Sequence, residues 1–101
     1  MTIQLLYFDN CPNFSPTLDL VKRVALRLGI SPDLDLMKVE TPEHAEECQF
    51  LGSPTVRVDG VDIDSSARAQ TMYGLSCRKY GSSGVPPESM VEDALREAKE
   101  E

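Results

Sequence analysis

Apolar and polar positions along the chain predict alternating strands and helices. The apolar run at residues 3–8 stops sharply at Asp9, which is typical of a strand buried on both faces. Over residues 14–28 apolar residues recur every three or four positions, which predicts an amphipathic helix that ends at Gly29. The same spacing marks a last helix after Pro87, on Met90, Val91, Ala94, Leu95 and Ala98.

The middle of the chain predicts a second strand and a short helix. Alternating apolar residues over 34–39 outline the strand. It should run parallel to the first strand, because a helix-long crossover separates the two. Thr41, Pro42 and Glu43 then supply a capping hydroxyl, a first-turn proline and an acid near the positive helix end. We expect this helix to run to about Phe50.

Residues 55–63 predict an antiparallel hairpin around the two-residue turn Asp59-Gly60. Residues 64–85 have only partial strand character, so we interpret them as an insert before the last helix. The element order is therefore β-α-β-α-β-β-α. It predicts one α/β domain over residues 1–101, with a central four-stranded mixed sheet.

Composition and charge narrow the classes of function. Hydrophobic residues make up 41% of the chain, as in globular proteins, and no apolar run approaches the ~18 residues of a membrane helix. The net charge of −7 repels phosphate backbones and anionic lipids, so we expect neither a nucleic-acid nor a membrane partner. The first residues lack the features of a signal peptide, so we expect a cytoplasmic protein.

Three cysteines carry the candidate chemistry. Cys11, Cys48 and Cys77 are odd in number and widely spaced, which fits neither a disulfide framework nor a zinc site, and no metal site is predicted. Acidic neighbours disfavour a thiolate at Cys48, which we interpret as a packing residue. Arg78 and Lys79 would favour a thiolate at Cys77. Cys77 is therefore either a reactive thiol or a buried structural residue, and both interpretations stay open.

Cys11 lies between the predicted first strand and the predicted first helix. Amides at a helix N-terminus stabilise a thiolate, and Pro12 suits a first turn because it has no N–H to satisfy. The helix could instead begin at Ser15-Pro16, which would leave Cys11 in a loop. Asp9 would oppose ionisation of Cys11 if its side chain points the same way.

Two motifs resemble the thioredoxin-like superfamily, including small bacterial thioredoxin- or glutaredoxin-like proteins. They are Asn10-Cys11-Pro12-Asn13 after the first strand and Gly52-Ser53-Pro54-Thr55 before the hairpin. The resemblance pairs Cys11 with the family's nucleophilic cysteine and Pro54 with its cis-proline. It implies a thioredoxin-like fold in which the Ser53 backbone pairs with an extended peptide or a thiol ligand. The implied substrate site consists of Pro12, Asn13, Ser53, Pro54 and Thr55.

The chain departs from the dithiol members of that family. Their second cysteine would fall on Phe14, so no CxxC pair exists. Single-thiol members use glutathione to resolve the mixed disulfide, which makes glutathione a candidate co-substrate, and no other cofactor is expected. The basic residues that would hold the carboxylates of glutathione are not evident near Cys11.

Three functional hypotheses follow. The leading one is a thiol–disulfide redox protein in which Cys11 reacts with a small thiol or a protein disulfide, with Cys77 as the candidate resolving thiol. The second is a soft-metal or metalloid-binding protein in which Cys11 and Cys77 hold the ion. The third is a non-enzymatic adaptor whose thiols are inert. Whether the chain is an enzyme stays open.

Overall fold

The computed structural model describes residues 1–81 and 83–100, and these form four strands and three helices. In chain order they are β1 (Thr2–Tyr7), α1 (Phe14–Arg27), β2 (Asp33–Lys38), α2 (Pro42–Glu47), β3 (Thr55–Val58), β4 (Val61–Asp62) and α3 (Glu88–Glu100). A 3-10 turn at Ser65–Ala67 follows β4. The α/β class and the order of elements expected from the sequence are confirmed. None of the described helices is long and apolar enough to cross a bilayer.

The four strands form one mixed sheet in the order β2-β1-β3-β4. β1 runs parallel to β2 and antiparallel to β3, and β3 pairs antiparallel with β4. The predicted parallel pair and the predicted hairpin are both present. The hairpin turn has positive φ at Asp59 and Gly60, 50° and 85°, as a turn that matches the twist of the strands requires.

The sheet separates two apolar clusters, because successive side chains of a strand point to opposite faces. Ile3 and Leu5 of β1 are fully buried in the larger cluster, with Val21 of α1 and Leu95 of α3. Leu6 belongs to the smaller cluster on the other face, with Val39, Ala45 and Phe50. β1 is thus buried on both faces, as its continuous apolar run predicted.

Helix α2 begins where it was expected to begin but ends earlier. The Thr41 hydroxyl accepts a hydrogen bond from the His44 N–H at 3.0 Å, which confirms the predicted cap. The expected end near Phe50 is wrong, because Gln49 adopts a left-handed conformation with φ 55°. The Phe50 N–H then bonds to the Ala45 carbonyl at 2.8 Å, which closes the helix and buries the Phe50 ring.

Leu95→Ala should lower the free energy of unfolding by about 2–5 kcal/mol, because Leu95 is fully buried and its loss leaves a cavity. Urea unfolding would measure the change. Leu26→Ala is the matched control: Leu26 is 82% exposed, and its removal should cost less than about 0.5 kcal/mol. Equal losses in the two variants would contradict this assignment of the core.

Candidate functional site

The turns that carry Cys11 and Pro54 lie at the same edge of the sheet. β1 ends at Tyr7, shortly before Cys11, and β3 begins at Thr55, directly after Pro54. Leu6 lies opposite Thr55 in the antiparallel pair, so the end of β1 meets the start of β3. The Ser53-Pro54 peptide bond is cis, in agreement with the expectation for Pro54.

Cys11 lies in a short turn that two aromatic rings hold closed. Tyr7 at the end of β1 stacks on Phe14 at the start of α1, with ring centroids 4.0 Å apart. Within the turn the Phe14 N–H bonds to the Cys11 carbonyl at 3.3 Å. α1 begins at Phe14, where the apolar periodicity predicted it, and not at Cys11-Pro12 or at Ser15-Pro16. Cys11 and Pro12 therefore precede the helix instead of forming its first turn, and Cys11 is half-buried.

Lys38 supplies a positive charge at this edge that the sequence analysis missed. The parallel register places Lys38 beside Tyr7, at the end of β2. Its ammonium lies 2.8 Å from the Asp9 carboxylate and 3.5 Å from that of Glu40. The hydrogen bond that Lys38 donates to Asp9 raises the pKa of Lys38, and the Coulomb attractions of Asp9 and Glu40 add to this effect against a smaller lowering by burial. The negative charge of Asp9 is therefore offset by Lys38.

The backbone of Ser53 is already paired with the chain's own insert. Its N–H donates to the Ser76 carbonyl and its carbonyl accepts from the Arg78 N–H, both at 2.9 Å. We call residues 74–80 the strap. Cys77 lies opposite Ser53 in this isolated parallel bridge. The expectation that an external peptide or thiol ligand pairs with Ser53 is wrong for this conformation, because the strap already occupies the Ser53 N–H and carbonyl.

The buried side chain of Arg78 anchors the strap to the sheet. It is only 6% exposed, and its two terminal nitrogens donate to the Asp62 carboxylate at 2.7 and 2.8 Å. It also donates to the Thr55 hydroxyl at 3.2 Å and lies over the Tyr80 ring. Burial is the largest single cause and would lower the pKa of Arg78, but the hydrogen bonds with Asp62 and the Coulomb attractions of Tyr80, Asp62 and Asp64 together raise it. Arg78 is therefore bound to Asp62 instead of supporting a thiolate at Cys77, which corrects the expectation from the sequence.

Further contacts fix the strap at both ends. The Gly74 N–H donates to the Phe50 carbonyl at 3.1 Å, and the buried Tyr80 hydroxyl donates to the Pro54 carbonyl. Gly52 lies beneath the strap with φ 120°, and a Cβ there would meet the Ser76 carbonyl at 2.8 Å. A side chain at position 52 would therefore collide with the docked strap.

The remaining predicted site residues differ in their access to solvent. Pro12 is exposed, and Asn13 contacts Gly84 closely enough that a side chain at position 84 would overlap it. Ser53 and Thr55 are fully buried. The Thr55 hydroxyl donates to the Gly52 carbonyl at 2.6 Å, whereas the Ser53 hydroxyl has no hydrogen-bond partner in the described parts of the chain. Neither side chain is free to touch a ligand from solvent.

The three cysteines are free thiols in different surroundings. Cys11 and Cys48 are half-buried, and Cys77 is exposed, so its interpretation as a buried structural residue is wrong. The Cys48 sulfur lies 3.6 Å from that of Met37 beside the smaller cluster, which agrees with a packing role. Within residues 1–81 and 83–100, no three His, Cys, Asp or Glu side chains lie together as a metal site would require.

Comparisons of this chain with protein-family models, with curated proteins and with solved structures found no match.

Asp62→Asn should loosen the strap, because it leaves the buried Arg78 without a counter-charge. The expected loss of stability is about 3–5 kcal/mol, with faster hydrogen exchange at the amides of Ser53 and Arg78. Glu40→Gln is the control, because it removes an exposed ion pair with Lys38. The Glu40 side chain is 67% exposed, so the variant should lose no more than about 1 kcal/mol of stability. Unchanged protection of the Ser53 and Arg78 amides in Asp62→Asn would show that Asp62 does not hold the strap.

Tyr80 should make the protein less stable at alkaline pH. Burial is the main cause that raises the pKa of Tyr80 well above its ordinary value of 10. The folded state then keeps a proton that the unfolded chain releases, so this contribution is complete below about pH 10 and declines as the pH rises further. Tyr80→Phe loses the bond to Pro54 and should be less stable at neutral pH, but its unfolding free energy should fall less steeply from about pH 9 to 11. Denaturant unfolding at each pH would measure the unfolding free energy. If this free energy falls equally steeply with pH in the two proteins, the prediction is wrong.

Proposed function

We propose that the chain is a thioredoxin-like thiol–disulfide redox protein in which Cys11 is the nucleophile and Cys77 the resolving thiol. The observation that carries the proposal is the docking of the strap: Cys77 is set opposite Ser53, at the sheet edge where the Cys11 turn also lies. The loop after the strap supports it, because Gly84 contacts Asn13 within the turn of Cys11.

The arrangement of the sheet supports the thioredoxin-like part of the proposal. A β-α-β unit with parallel strands is followed by an antiparallel hairpin, and β1 and β3 are the central strands. Cys11 follows the first strand and Pro54 precedes the third, which are the places the family resemblance assigns to the nucleophile and the proline.

The proposed reaction is a pair of thiol–disulfide exchanges. The Cys11 thiolate attacks one sulfur of a substrate disulfide; that S–S bond breaks, a mixed disulfide forms, and the other half leaves as a thiolate that takes up a proton. The Cys77 thiolate then attacks the Cys11 sulfur and releases the second half as a thiol. The substrate is reduced to two thiols, and the protein is left with a Cys11–Cys77 disulfide. A small thiol, with glutathione as the candidate, would return the protein to its dithiol form.

The strap favours a small disulfide over a protein as the substrate. An extended protein segment could pair with Ser53 only after displacing Ser76 and Arg78, and Arg78 is held by its buried ion pair with Asp62. A small disulfide needs to reach only the sulfur of Cys11, which is half-buried and not fully covered, and Cys77 is exposed while the strap is docked. We therefore infer that small disulfides react with the docked protein and that protein disulfides require the strap to move.

Serine variants of the three cysteines test the proposal. A small disulfide such as oxidised glutathione should convert the wild-type protein to a form two hydrogens lighter, with Cys11 and Cys77 joined in the peptide map. Cys77→Ser should instead accumulate a mixed disulfide on Cys11, because no resolving thiol remains. Cys11→Ser should react with the disulfide more slowly than the wild type, because its exposed thiol, Cys77, is not the proposed nucleophile.

Cys48→Ser is the matched control and should form the internal disulfide like the wild type. If Cys11 and Cys77 never join, or if Cys11→Ser reacts with the disulfide as fast as the wild type, the proposed function is wrong. Thiols that are inert in every variant would favour the adaptor hypothesis.

A further inference from the structure

A groove of about 260 Å³ beside the β3–β4 hairpin is lined by two arginines, Arg57 and Arg68. Arg57 lies on β3, and Arg68 directly follows the 3-10 turn. Among the described residues, these are the two arginines that form no ion pair with a carboxylate. The other four are each paired with an acidic side chain: Arg23, Arg27, Arg78 and Arg96.

Arg57 is held in place by backbone carbonyls. One of its terminal nitrogens, Nη2, donates to the carbonyls of Cys48 and Gln49 at 2.7 and 2.8 Å, at the end of α2. These bonds fix a half-buried guanidinium without neutralising it. Its Nε and Nη1 groups have no hydrogen-bond partner in the described parts of the chain, so they remain available as donors.

Arg68 leaves both of its terminal nitrogens available. Its Nε donates to the backbone carbonyl of Asp62 at 2.9 Å, which fixes the inner end of the exposed side chain. Neither Nη group has a partner within residues 1–81 and 83–100. Two parallel N–H groups at the tip of a guanidinium match the spacing of two oxygens on a carboxylate or a phosphate.

The acidic residue of the groove does not neutralise these arginines. Asp62 lies opposite Arg57 in the β3–β4 register. Its carboxylate, however, accepts both terminal nitrogens of Arg78 and the Asp64 N–H, so its charge is already balanced. The groove therefore holds two guanidinium groups that form no ion pair within the described residues, in a chain whose net charge is −7.

We propose that this groove binds the oxyanion group of a small ligand, a phosphate or a carboxylate held between Arg57 and Arg68. Gln49, Gln70 and Tyr73 also line the groove, and their side chains carry neutral hydrogen-bond donors. Its volume suits a small molecule. The site uses neither Cys11 nor Cys77, so it stands independently of the proposed redox function.

An NMR titration of the arginine side-chain N–H signals with inorganic phosphate, and separately with citrate, tests the site at constant ionic strength set by chloride. We expect saturable shifts at Arg57 and Arg68. Arg68→Gln should weaken binding about tenfold or more, since a charge-assisted fork is lost. Arg68→Lys should also weaken binding, because an ammonium lacks the two parallel N–H groups of a guanidinium. A preference between the two titrants identifies the ligand as a phosphate or a carboxylate.

Lys22→Gln removes the same charge from an exposed position on α1 and should leave the affinity within about twofold. Arg68 is exposed, so its variants should fold normally, whereas Arg57→Gln also removes bonds to the end of α2 and serves as a secondary variant. Shifts that do not saturate with either titrant, or equal weakening in Lys22→Gln and Arg68→Gln, would overturn the proposal.

Discussion

The buried ion pair between Arg78 and Asp62 determines how the insert lies on the rest of the molecule. Both terminal nitrogens of Arg78 bind one carboxylate from β4, and the same side chain contacts Thr55 and the Tyr80 ring. Taking two charges out of water is costly, so such a pair contributes little net stability compared with apolar packing. However, the two parallel hydrogen bonds between Arg78 and Asp62 form only when the guanidinium and the carboxylate are closely aligned. The pair therefore specifies one position for the strap more than it strengthens the fold.

That position has chemical consequences. With Arg78 directed inward, the neighbouring Cys77 is left at the surface, and the strap's backbone lies along Ser53. The edge of the sheet beside Pro54 is consequently filled by the chain itself. A redox protein built this way would carry its resolving thiol on the same segment that covers the edge, so the disulfide state of Cys77 and the access of protein partners would be coupled.

The sequence predicted most of the framework, because its strands and helices are short-range patterns. The continuous apolar run of β1, the Thr41 cap and the Asp59-Gly60 turn each act through neighbouring residues. The strap could not be predicted in the same way. Its placement depends on Arg78 finding Asp62 and on Tyr80 reaching Pro54, contacts between distant segments that leave no periodic signal. Gly52 was the available clue, since it admits the strap, but glycine is common before turns whether or not another segment packs against it.

The central claim is that Cys11 and Cys77 form one redox couple. Its most direct test follows the 13Cβ chemical shifts of all three cysteines by NMR while the protein is equilibrated across a series of glutathione redox buffers. We expect Cys11 and Cys77 to change together at a single midpoint while Cys48 does not change. Separate midpoints for Cys11 and Cys77, or a change at Cys11 alone, would contradict the claim.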